Sequence, residues 1–278
     1  EISEDISKEA ILGAIQNAGI CGMGGASFPT HFKLTIPEGK YIDTIILNGA
    51  ECETFLNADF RLMLEHSEKV IAGLRLALIA TGVKKGFIGI EDNKKEAIEA
   101  MTRAARKYPN IEVCALKTKY PQGGEKQLIH ALTKREVPSG GLPLDAYVVV
   151  LNVATAAAIA DAVLLGKPLI ERVTTVCGNI NKPDNLLLRI GTSISEAVEA
   201  CGSYKTEPGK IIFGGSMTGN CVPDDSYPIL KGNNGVVVFS EKDSTIEEES
   251  PCIRCGKCVQ ACPIGLNPAR LQYLCNND

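Results

Sequence analysis

Residues 44–53, Thr44-Ile-Ile-Leu-Asn-Gly-Ala-Glu-Cys-Glu53, decide the fold, because an apolar β-branched run ends there in a polar turn. Such a run is typical of a buried strand. Similar runs recur at 86–90, 111–116 and 148–151. Helical patterns lie around them, at 7–18, 61–81, 94–108, 124–132 and 155–165. Strands that alternate with helices predict an α/β fold with a Rossmann-like, layered and mostly parallel sheet.

The alternation of predicted strands and helices ends after Pro168. Short strands are predicted at 172–177, 186–190, 210–213 and 235–239, with one helix at 193–201. This order predicts a small β-grasp domain, and residues 241–250 read as an acidic, solvated linker. The predicted boundaries are 1–167 for the α/β domain, 168–243 for the β-grasp domain and 244–278 for a ferredoxin-like tail.

Polar residues follow two of the predicted parallel strands. Asn48, Glu51 and Glu53 come after the first strand, and Asn152 and Thr155 after the fourth. Ligands of parallel sheets bind at the carboxyl ends of the strands. The alternative interpretation is a solvated turn in the first case and a helix cap in the second.

Two glycine-rich loops are candidate cofactor loops. The first, residues 22–30, reads Gly-Met-Gly-Gly-Ala-Ser-Phe-Pro-Thr and is followed by Lys33. Glycines let backbone amides approach a phosphate or a flat ring, and Lys33 supplies positive charge. The second loop, residues 120–126, contains Gly124 and Glu125 and opens a helix. Either loop could also be a plain connecting turn.

Four cysteines near the C-terminus, Cys252, Cys255, Cys258 and Cys262, have the spacing of a bacterial ferredoxin motif that ends in Cys-Pro. This spacing predicts thiolate ligands of a [4Fe–4S] cluster. A zinc ribbon would need two well-separated pairs. A second run is missing, so the source of a fourth ligand is open, with Cys275 one candidate.

The composition narrows the function classes. The formal net charge is −4, which gives no basic field for nucleic acid, and no apolar run is long enough to span a bilayer. Eleven cysteines without an export signal favour thiolate ligands over disulfides. The first residue is not Met, so we expect a trimmed or processed piece.

Six motifs in order carry a family resemblance: GMGGASFPTHFKL, NGAECE, YPQGGEKQLIHAL, VPSGGLP, LNVATAAAIADAV and the cysteine run. Together they resemble the RnfC family, which belongs to a membrane-associated ferredoxin:NAD⁺ oxidoreductase, the Rnf complex. That family is related to the NADH-oxidising flavoprotein of respiratory complex I and to electron-transfer proteins of proline reductase.

The resemblance implies sites for FMN and NADH. The implied FMN residues are Gly22, Gly24, Ala26, Lys33, Asn48, Gly124, Glu125, Asn152 and Thr155. Phe28 matches an aromatic residue that stacks on NADH in the complex I relative, and Glu53 matches a carboxylate that contacts the nucleotide. Gly25 and Glu51, from the same loop and strand-end turn, complete the predicted cofactor-binding set.

The implied function is that of an electron-transfer flavoprotein between NADH, FMN and iron–sulfur clusters. Its predicted partners are NADH and other subunits of a membrane redox complex or a ferredoxin-like carrier. The predicted location is the cytoplasm, at the inner face of the membrane through those subunits. Two alternatives stay open, an electron-transfer partner of an amino-acid reductase and a flavin-free binding scaffold.

The sequence also departs from the related patterns. Met23 stands in place of Arg, Ala50 in place of an acidic residue, Lys126 in place of Glu and Ile36 in place of an aromatic residue. These departures favour FMN binding over tight NADH binding. The N-terminal barrel-sandwich domain of the family is not in this sequence, which again indicates a fragment.

Overall fold

The computed structural model of the chain describes residues 6–245, 248–262 and 264–277. The chain divides into two compact units, Glu1–Ser244 and Thr245–Asp278. The first unit contains the two sheets, and the second contains the cysteine run.

A parallel four-stranded sheet forms the α/β part of the first unit. Its strands are β1 (Thr44–Asn48), β2 (Lys85–Glu91), β3 (Ile111–Leu116) and β4 (Val148–Asn152). Their order across the sheet is β3-β2-β1-β4. The chain thus moves outward from β1 to β3 and then returns to the other side of β1. In open parallel sheets this reversal leaves a crevice at the carboxyl ends of the two diverging strands, here β1 and β4.

Helices cover both faces of this sheet. They are α1 (Lys8–Asn17), α2 (Thr30–Leu34), α3 (Ala58–Glu65), α4 (Ser67–Thr81), α5 (Lys95–Ala105), α6 (Glu125–Thr133) and α7 (Val153–Leu165), with a 3₁₀ turn at Pro143–Ala146. Ile45 of β1 packs into the larger core with α1, α4 and α7, whereas its neighbour Ile46 packs with α6 on the other face. Alternate side chains of a strand point to opposite faces, so an apolar run like that of β1 is expected when both faces are covered.

The helices α4 and α7 approach each other closely at a glycine. A Cβ atom at Gly73 would lie 1.7 Å from the carbonyl oxygen of Ala156. Small residues therefore set the spacing of this helix pair, which brings α7 onto the sheet behind the crevice.

A mixed five-stranded sheet forms the β-grasp part. Its strands are β5 (Glu171–Gly178), β6 (Asp184–Arg189), β7 (Pro208–Phe213), β8 (Asn220–Val222) and β9 (Gly235–Ser240), in the order β6-β5-β9-β7-β8. The helix α8 (Ile194–Ala200) packs on it and begins at a capping box between Ser193 and Glu196. A short helix, α9 (Glu241–Ser244), ends the unit. The fold class predicted from sequence is confirmed.

One predicted element was wrong. The helical pattern at 61–81 is two helices, because the chain leaves helical geometry at His66, with φ −129° and ψ 36°. Both helices contact α5 and α7, while α3 also packs on β5 and α4 also packs on α1.

The second unit is small. It contains α10 (Lys257–Ala261) and α11 (Pro268–Asn277), and neither helix has a buried residue. Across the described parts of the whole chain, none of the helices combines the length and apolar character that crossing a bilayer requires.

Candidate functional site

The crevice between β1 and β4 is an open cleft of about 430 Å³. The last residues of these two strands, Asn48 and Asn152, are register partners at its floor. Eleven of the thirteen predicted cofactor-binding residues line it: Gly22, Gly24, Gly25, Ala26, Phe28, Lys33, Asn48, Gly124, Glu125, Asn152 and Thr155. The topology therefore brings separate stretches of sequence together at the expected edge of the sheet.

The first wall of the cleft is the glycine loop. The Thr155 hydroxyl of α7 accepts a hydrogen bond from Met23 N at 3.0 Å, which ties the loop to the helix. Gly24 lies directly against Asn152, and a Cβ atom there would meet Asn152 Nδ2 at 2.8 Å. Asn152 is itself fixed, because its Oδ1 accepts from Ala154 N at 2.7 Å and caps α7. Only glycine at position 24 permits this close approach.

The second wall is the loop before α6. Asn48 Nδ2 donates to the Gly123 carbonyl at 2.8 Å, and Gly123 N donates to Cys52 Sγ at 3.3 Å. Gly124 is the N-cap of α6 and has no side chain to occupy the free amides of that helix end. Lys33 Nζ and Glu125 Oε1 form an ion pair at 3.1 Å between α2 and α6. A cation and the amino end of a helix therefore lie at the same cleft, which suits an anionic group.

The two remaining predicted residues lie outside the cleft. The Glu51 carboxylate accepts from Asp59 N at 2.7 Å and from Phe60 N at 2.9 Å, so it caps the start of α3. Desolvation and the nearby Asp59 raise the pKa of Glu51 to about 8. Both carboxylate oxygens are engaged, and a role of Glu51 as a cofactor ligand stays a prediction.

Glu53 joins the two halves of the first unit. Its carboxylate accepts from Met217 N at 3.0 Å and from the Thr218 hydroxyl, both in the loop between β7 and β8. It lines a second cavity of about 430 Å³, which shares Gly24, Gly25 and Ser27 with the cleft. Glu53 is therefore near the glycine loop, on the side of the β-grasp domain.

Sequence reasoning missed two buried ionisable residues behind the glycine loop, Arg172 and Asp59. Arg172 of β5 is 2% exposed, and its Nη1 and Nη2 each lie 3.3 Å from the Met23 carbonyl, to which they donate. Desolvation lowers the pKa of Arg172 to about 10. Asp59 is buried and accepts from Asn152 Nδ2 at 2.7 Å, and burial raises its pKa. The sequence signal for Arg172 was a charged residue directly before the β-branched run Val173–Val176.

A second missed residue supports the turn after β1. Lys94 Nζ donates to the carbonyl of Ala50 at 2.9 Å and to that of Glu51 at 3.2 Å. Glu51 holds a left-handed φ of 43°, which is uncommon for a residue with a side chain. Lys94 therefore stabilises the sharp turn that ends the strand.

An unpartnered polar atom shows that the cleft suits a ligand. Thr30 is 1% exposed and lines the cleft, and among the described residues its Oγ1 has no hydrogen-bond partner. Leaving such a buried hydroxyl without a partner costs free energy. The wall also offers apolar surface from Val150 and Leu151. Small residues, a cation, the free amides at the start of α6 and the apolar side chains of Val150 and Leu151 together fit a phosphorylated ring system such as FMN.

The cysteine run lies in the second unit. Cys252, Cys255 and Cys258 are exposed and Cys262 is half-buried. Cys262 Sγ accepts from Leu266 N at 3.2 Å. Within the described residues, no three side chains of His, Cys, Asp or Glu converge as metal ligands. The [4Fe–4S] assignment stays a prediction.

Two parts of the chain match known domain families. Residues 15–161 match the Nuo51 FMN-binding domain, and residues 173–220 match the SLBB domain. The first match includes every residue that lines the cleft, and the second covers most of the β-grasp strands.

Curated relatives match almost the whole chain. It is 51% identical over 276 residues to the RnfC-type protein of the proton-translocating ferredoxin:NAD(+) oxidoreductase complex of Clostridium ljungdahlii. It is 49% identical over 269 residues to the counterpart from the Na(+)-translocating complex of Acetobacterium woodii. These matches cover 99% and 96% of this chain, but only 60% and 61% of the relatives. The predicted resemblance to the RnfC family is confirmed.

A solved structure shows the same fold. A chain of the NAD⁺-reducing [NiFe]-hydrogenase in the H₂-reduced state superposes with a TM-score of 0.70 at 23% identity. The superposition covers 85% of this chain and 47% of the hydrogenase chain. At this level of identity, the match supports the architecture alone.

Proposed function

Because the chain belongs to the family of Nuo51 FMN-binding domains, we propose that its cleft binds FMN and that the protein carries electrons between NADH and iron–sulfur centres. The observation that supports this proposal most strongly is the position of the glycine loop at the carboxyl ends of β1 and β4, where the strand order reverses. The names of the relatives support the wider role, that of the RnfC component in an ion-translocating oxidoreductase.

FMN, when bound, can accept two electrons as a hydride and release them one at a time. The protein binds and orients the cofactor. Lys33 and the amides at the start of α6 provide positive potential for the phosphate. Asn48 holds the second wall through its bond to the Gly123 carbonyl, and Asn152, fixed by its bond from Ala154 N, packs against Gly24 of the first wall. These side chains position the site and transfer no proton.

Phe28 is the proposed contact for the nicotinamide nucleotide. Its ring is 56% exposed and lies at the cleft, with the Phe32 ring centroid 6.5 Å away. An exposed aromatic face beside a flavin cleft can stack on a second planar ring. Glu53, across the glycine loop, is the proposed polar contact on the nucleotide side.

The cysteine run is the proposed electron acceptor. The bond from Leu266 N to Cys262 Sγ is of the kind that stabilises a thiolate ligand. Anaerobic reconstitution with iron and sulfide tests it. We expect Cys258→Ser to lose the broad brown absorbance and Cys275→Ser to keep it. Equal absorbance in both variants would overturn the assignment.

The proposed location is the cytoplasmic face of the membrane, reached through partner subunits. The relatives are named as subunits of translocating complexes, which supports assembly with other subunits. Copurification with membranes that contain or lack the other subunits tests this. Retention only in their presence is expected, and equal retention on both membranes would refute it.

Flavin binding is tested with a matched pair of lysines. Lys33 and Lys40 both form surface ion pairs, at 3.1 Å with Glu125 and 3.2 Å with Asp145, but only Lys33 lines the cleft. A charge-assisted hydrogen bond contributes about 1.5–3 kcal/mol, so Lys33→Met should weaken FMN binding about ten- to hundredfold. Lys40→Met should bind as the parent does. In the parent protein, NADH should bleach the bound flavin, and a failure to bleach would remove NADH from the proposal.

A further inference from the structure

The carbonyl of Met23, in the glycine loop, accepts hydrogen bonds from a buried cation of the β-grasp domain. Arg172 of β5 donates to this oxygen from both Nη1 and Nη2, at 3.3 Å each. Its Nη1 also donates to the Lys231 carbonyl at 2.5 Å, and its Nε donates to the Val173 carbonyl at 3.3 Å. Backbone acceptors therefore hold the guanidinium in place, and β5 and the loop before β9 determine its position.

The glycine loop separates Arg172 from the cleft. Arg172 lines a different space, a cavity of about 410 Å³ that we call the rear cavity, and it is not part of the cleft lining. Met23 lines both spaces, whereas Gly24 lines the cleft and not the rear cavity. The peptide bond between Met23 and Gly24 therefore lies between the two, with the Met23 oxygen on the side of Arg172.

The planarity of this peptide bond determines where the Gly24 amide points. Within the described residues the cis peptide bond is Tyr120–Pro121, so the bond between Met23 and Gly24 is trans. In a planar trans peptide the C=O and N–H bonds point in opposite directions. Because the Met23 oxygen faces Arg172, the Gly24 N–H faces away from it, on the side of the cleft. Among the hydrogen bonds of the described residues none has this N–H as its donor, so it is available to a bound molecule.

The glycine loop does not enforce this orientation by itself. A peptide flip changes ψ of the residue before the bond and φ of the residue after it, and glycine adopts either sign of φ. Gly24 therefore permits the reverse orientation, in which the Met23 oxygen would enter the cleft and oppose an anionic ligand. The preceding peptide bond is fixed, because Met23 N donates to Thr155 Oγ1 at 3.0 Å. Arg172 is the group that fixes the following one.

We propose that Arg172 is a positioning residue for the flavin, because it holds the Met23 carbonyl behind the glycine loop and so directs the Gly24 N–H toward FMN. This inference rests on the proposed flavin function. A backbone N–H that donates to an anionic oxygen makes a charge-assisted hydrogen bond, which is stronger than a neutral one. The β-grasp domain thus contributes to the cofactor site, although none of its described residues lines the cleft.

The sequence allows this single peptide bond to be observed by NMR. The chain has four methionines, and Met23 is the only one that is followed by glycine. The full chain is labelled with carbonyl-¹³C methionine and ¹⁵N glycine. An experiment that correlates each carbonyl carbon with the next amide then gives one signal, from the bond between Met23 and Gly24. Its carbon reports the hydrogen bonds from Arg172, and its amide proton reports a ligand in the cleft.

Three variants separate positioning from general stability. Arg172→Met removes the donors, whereas Arg172→Lys keeps a cation but replaces the forked donors by a single ammonium group. Lys231→Met is the matched control. Lys231 Nζ is also a β-grasp cation that donates to a backbone carbonyl of the first domain, that of Gly19 at 2.7 Å, but neither residue lines the cleft.

We expect Arg172→Met to move the Met23 carbonyl resonance of the flavin-free protein upfield, because the hydrogen bonds that deshield this carbon are lost. FMN binding, titrated by flavin fluorescence, should weaken about tenfold, which corresponds to about one hydrogen bond. Arg172→Lys should give intermediate values of both, and it decides the question if Arg172→Met does not fold. Lys231→Met should leave both at the parent values. An unchanged carbonyl resonance in the Arg172 variants, or equal losses of FMN affinity in Arg172→Met and Lys231→Met, would overturn the proposal.

Addition of FMN to the labelled proteins separates this proposal from the flavin function. FMN should move the Gly24 amide proton downfield in the parent, and by a smaller amount in Arg172→Met. A parent protein that binds no FMN would refute the flavin function and, with it, the positioning role. A parent that binds FMN without any response of the Gly24 amide proton would refute the positioning role alone.

Discussion

Replacement of Gly24 by alanine tests the close packing that shapes the cleft. A Cβ atom at this position would lie 2.8 Å from Asn152 Nδ2, 3.1 Å from its Cγ and 3.2 Å from its Cβ. Asn152 cannot rotate away without losing two hydrogen bonds of 2.7 Å, one from Ala154 N and one to Asp59. The side chain is thus held in place, and the loop must move instead.

The expected size of the effect follows from that geometry. Forcing a methyl group into a packed contact typically costs about 1–3 kcal/mol. At Gly25, the next residue, an added Cβ would meet nothing within 4 Å, so the loop has room to shift toward the cleft. We therefore expect the cost to appear as weaker FMN binding, by about 5- to 150-fold.

The assay is a titration of FMN by quenching of flavin fluorescence, with urea unfolding of the flavin-free protein beside it. Gly13→Ala is the control, because a Cβ on this face of α1 also meets nothing within 4 Å. Alanine in a helix is favoured over glycine by about 1 kcal/mol, so the control should gain stability and bind FMN normally. A Gly24→Ala protein with unchanged FMN affinity would refute the reasoning.

Three further substitutions probe the surroundings of the cleft. Arg172→Met leaves the carbonyls of Met23 and Lys231 without their buried guanidinium donor and should lower the free energy of unfolding in urea by about 1–3 kcal/mol; an unchanged unfolding free energy would contradict this. The pKa of Glu51 is raised from 4.5 to about 8, so the folded state keeps a proton that the unfolded state loses, and unfolding free energy should fall as pH rises through this range. Glu51→Gln should flatten that fall, and an unchanged slope would assign it to another group. Thr30→Val removes a buried hydroxyl without a partner, so it should raise the stability of the flavin-free protein by about 1 kcal/mol while weakening FMN binding; tighter FMN binding would count against the cleft.

The cleft could be predicted from the sequence because its polar residues directly follow predicted parallel strands. Asn48 and Asn152 each end an apolar β-branched run, and parallel strands place their carboxyl ends on one edge. The glycine loop was recognisable from its composition, although the short helix α2 within the same motif was not predicted. The local sequence pattern and the predicted sheet topology were therefore sufficient to predict the two asparagines and the glycine loop.

Other parts depended on contacts that no local pattern records. Arg172 contacts Met23 across 149 positions of sequence, and no local pattern around it records that contact. Glu51 follows a strand as a ligand residue would, but its carboxylate caps α3. The break at His66 was missed because the apolar pattern typical of a helix continues through it, although the backbone there is not helical.

Titration of the flavin-free protein with FMN and, separately, with riboflavin tests the central claim most directly. A cleft that holds a phosphorylated flavin by Lys33 and helix amides should bind one FMN per chain, with riboflavin at least about tenfold weaker because it has no phosphate. Equal affinity for the two flavins, or no binding of either one, would contradict the account.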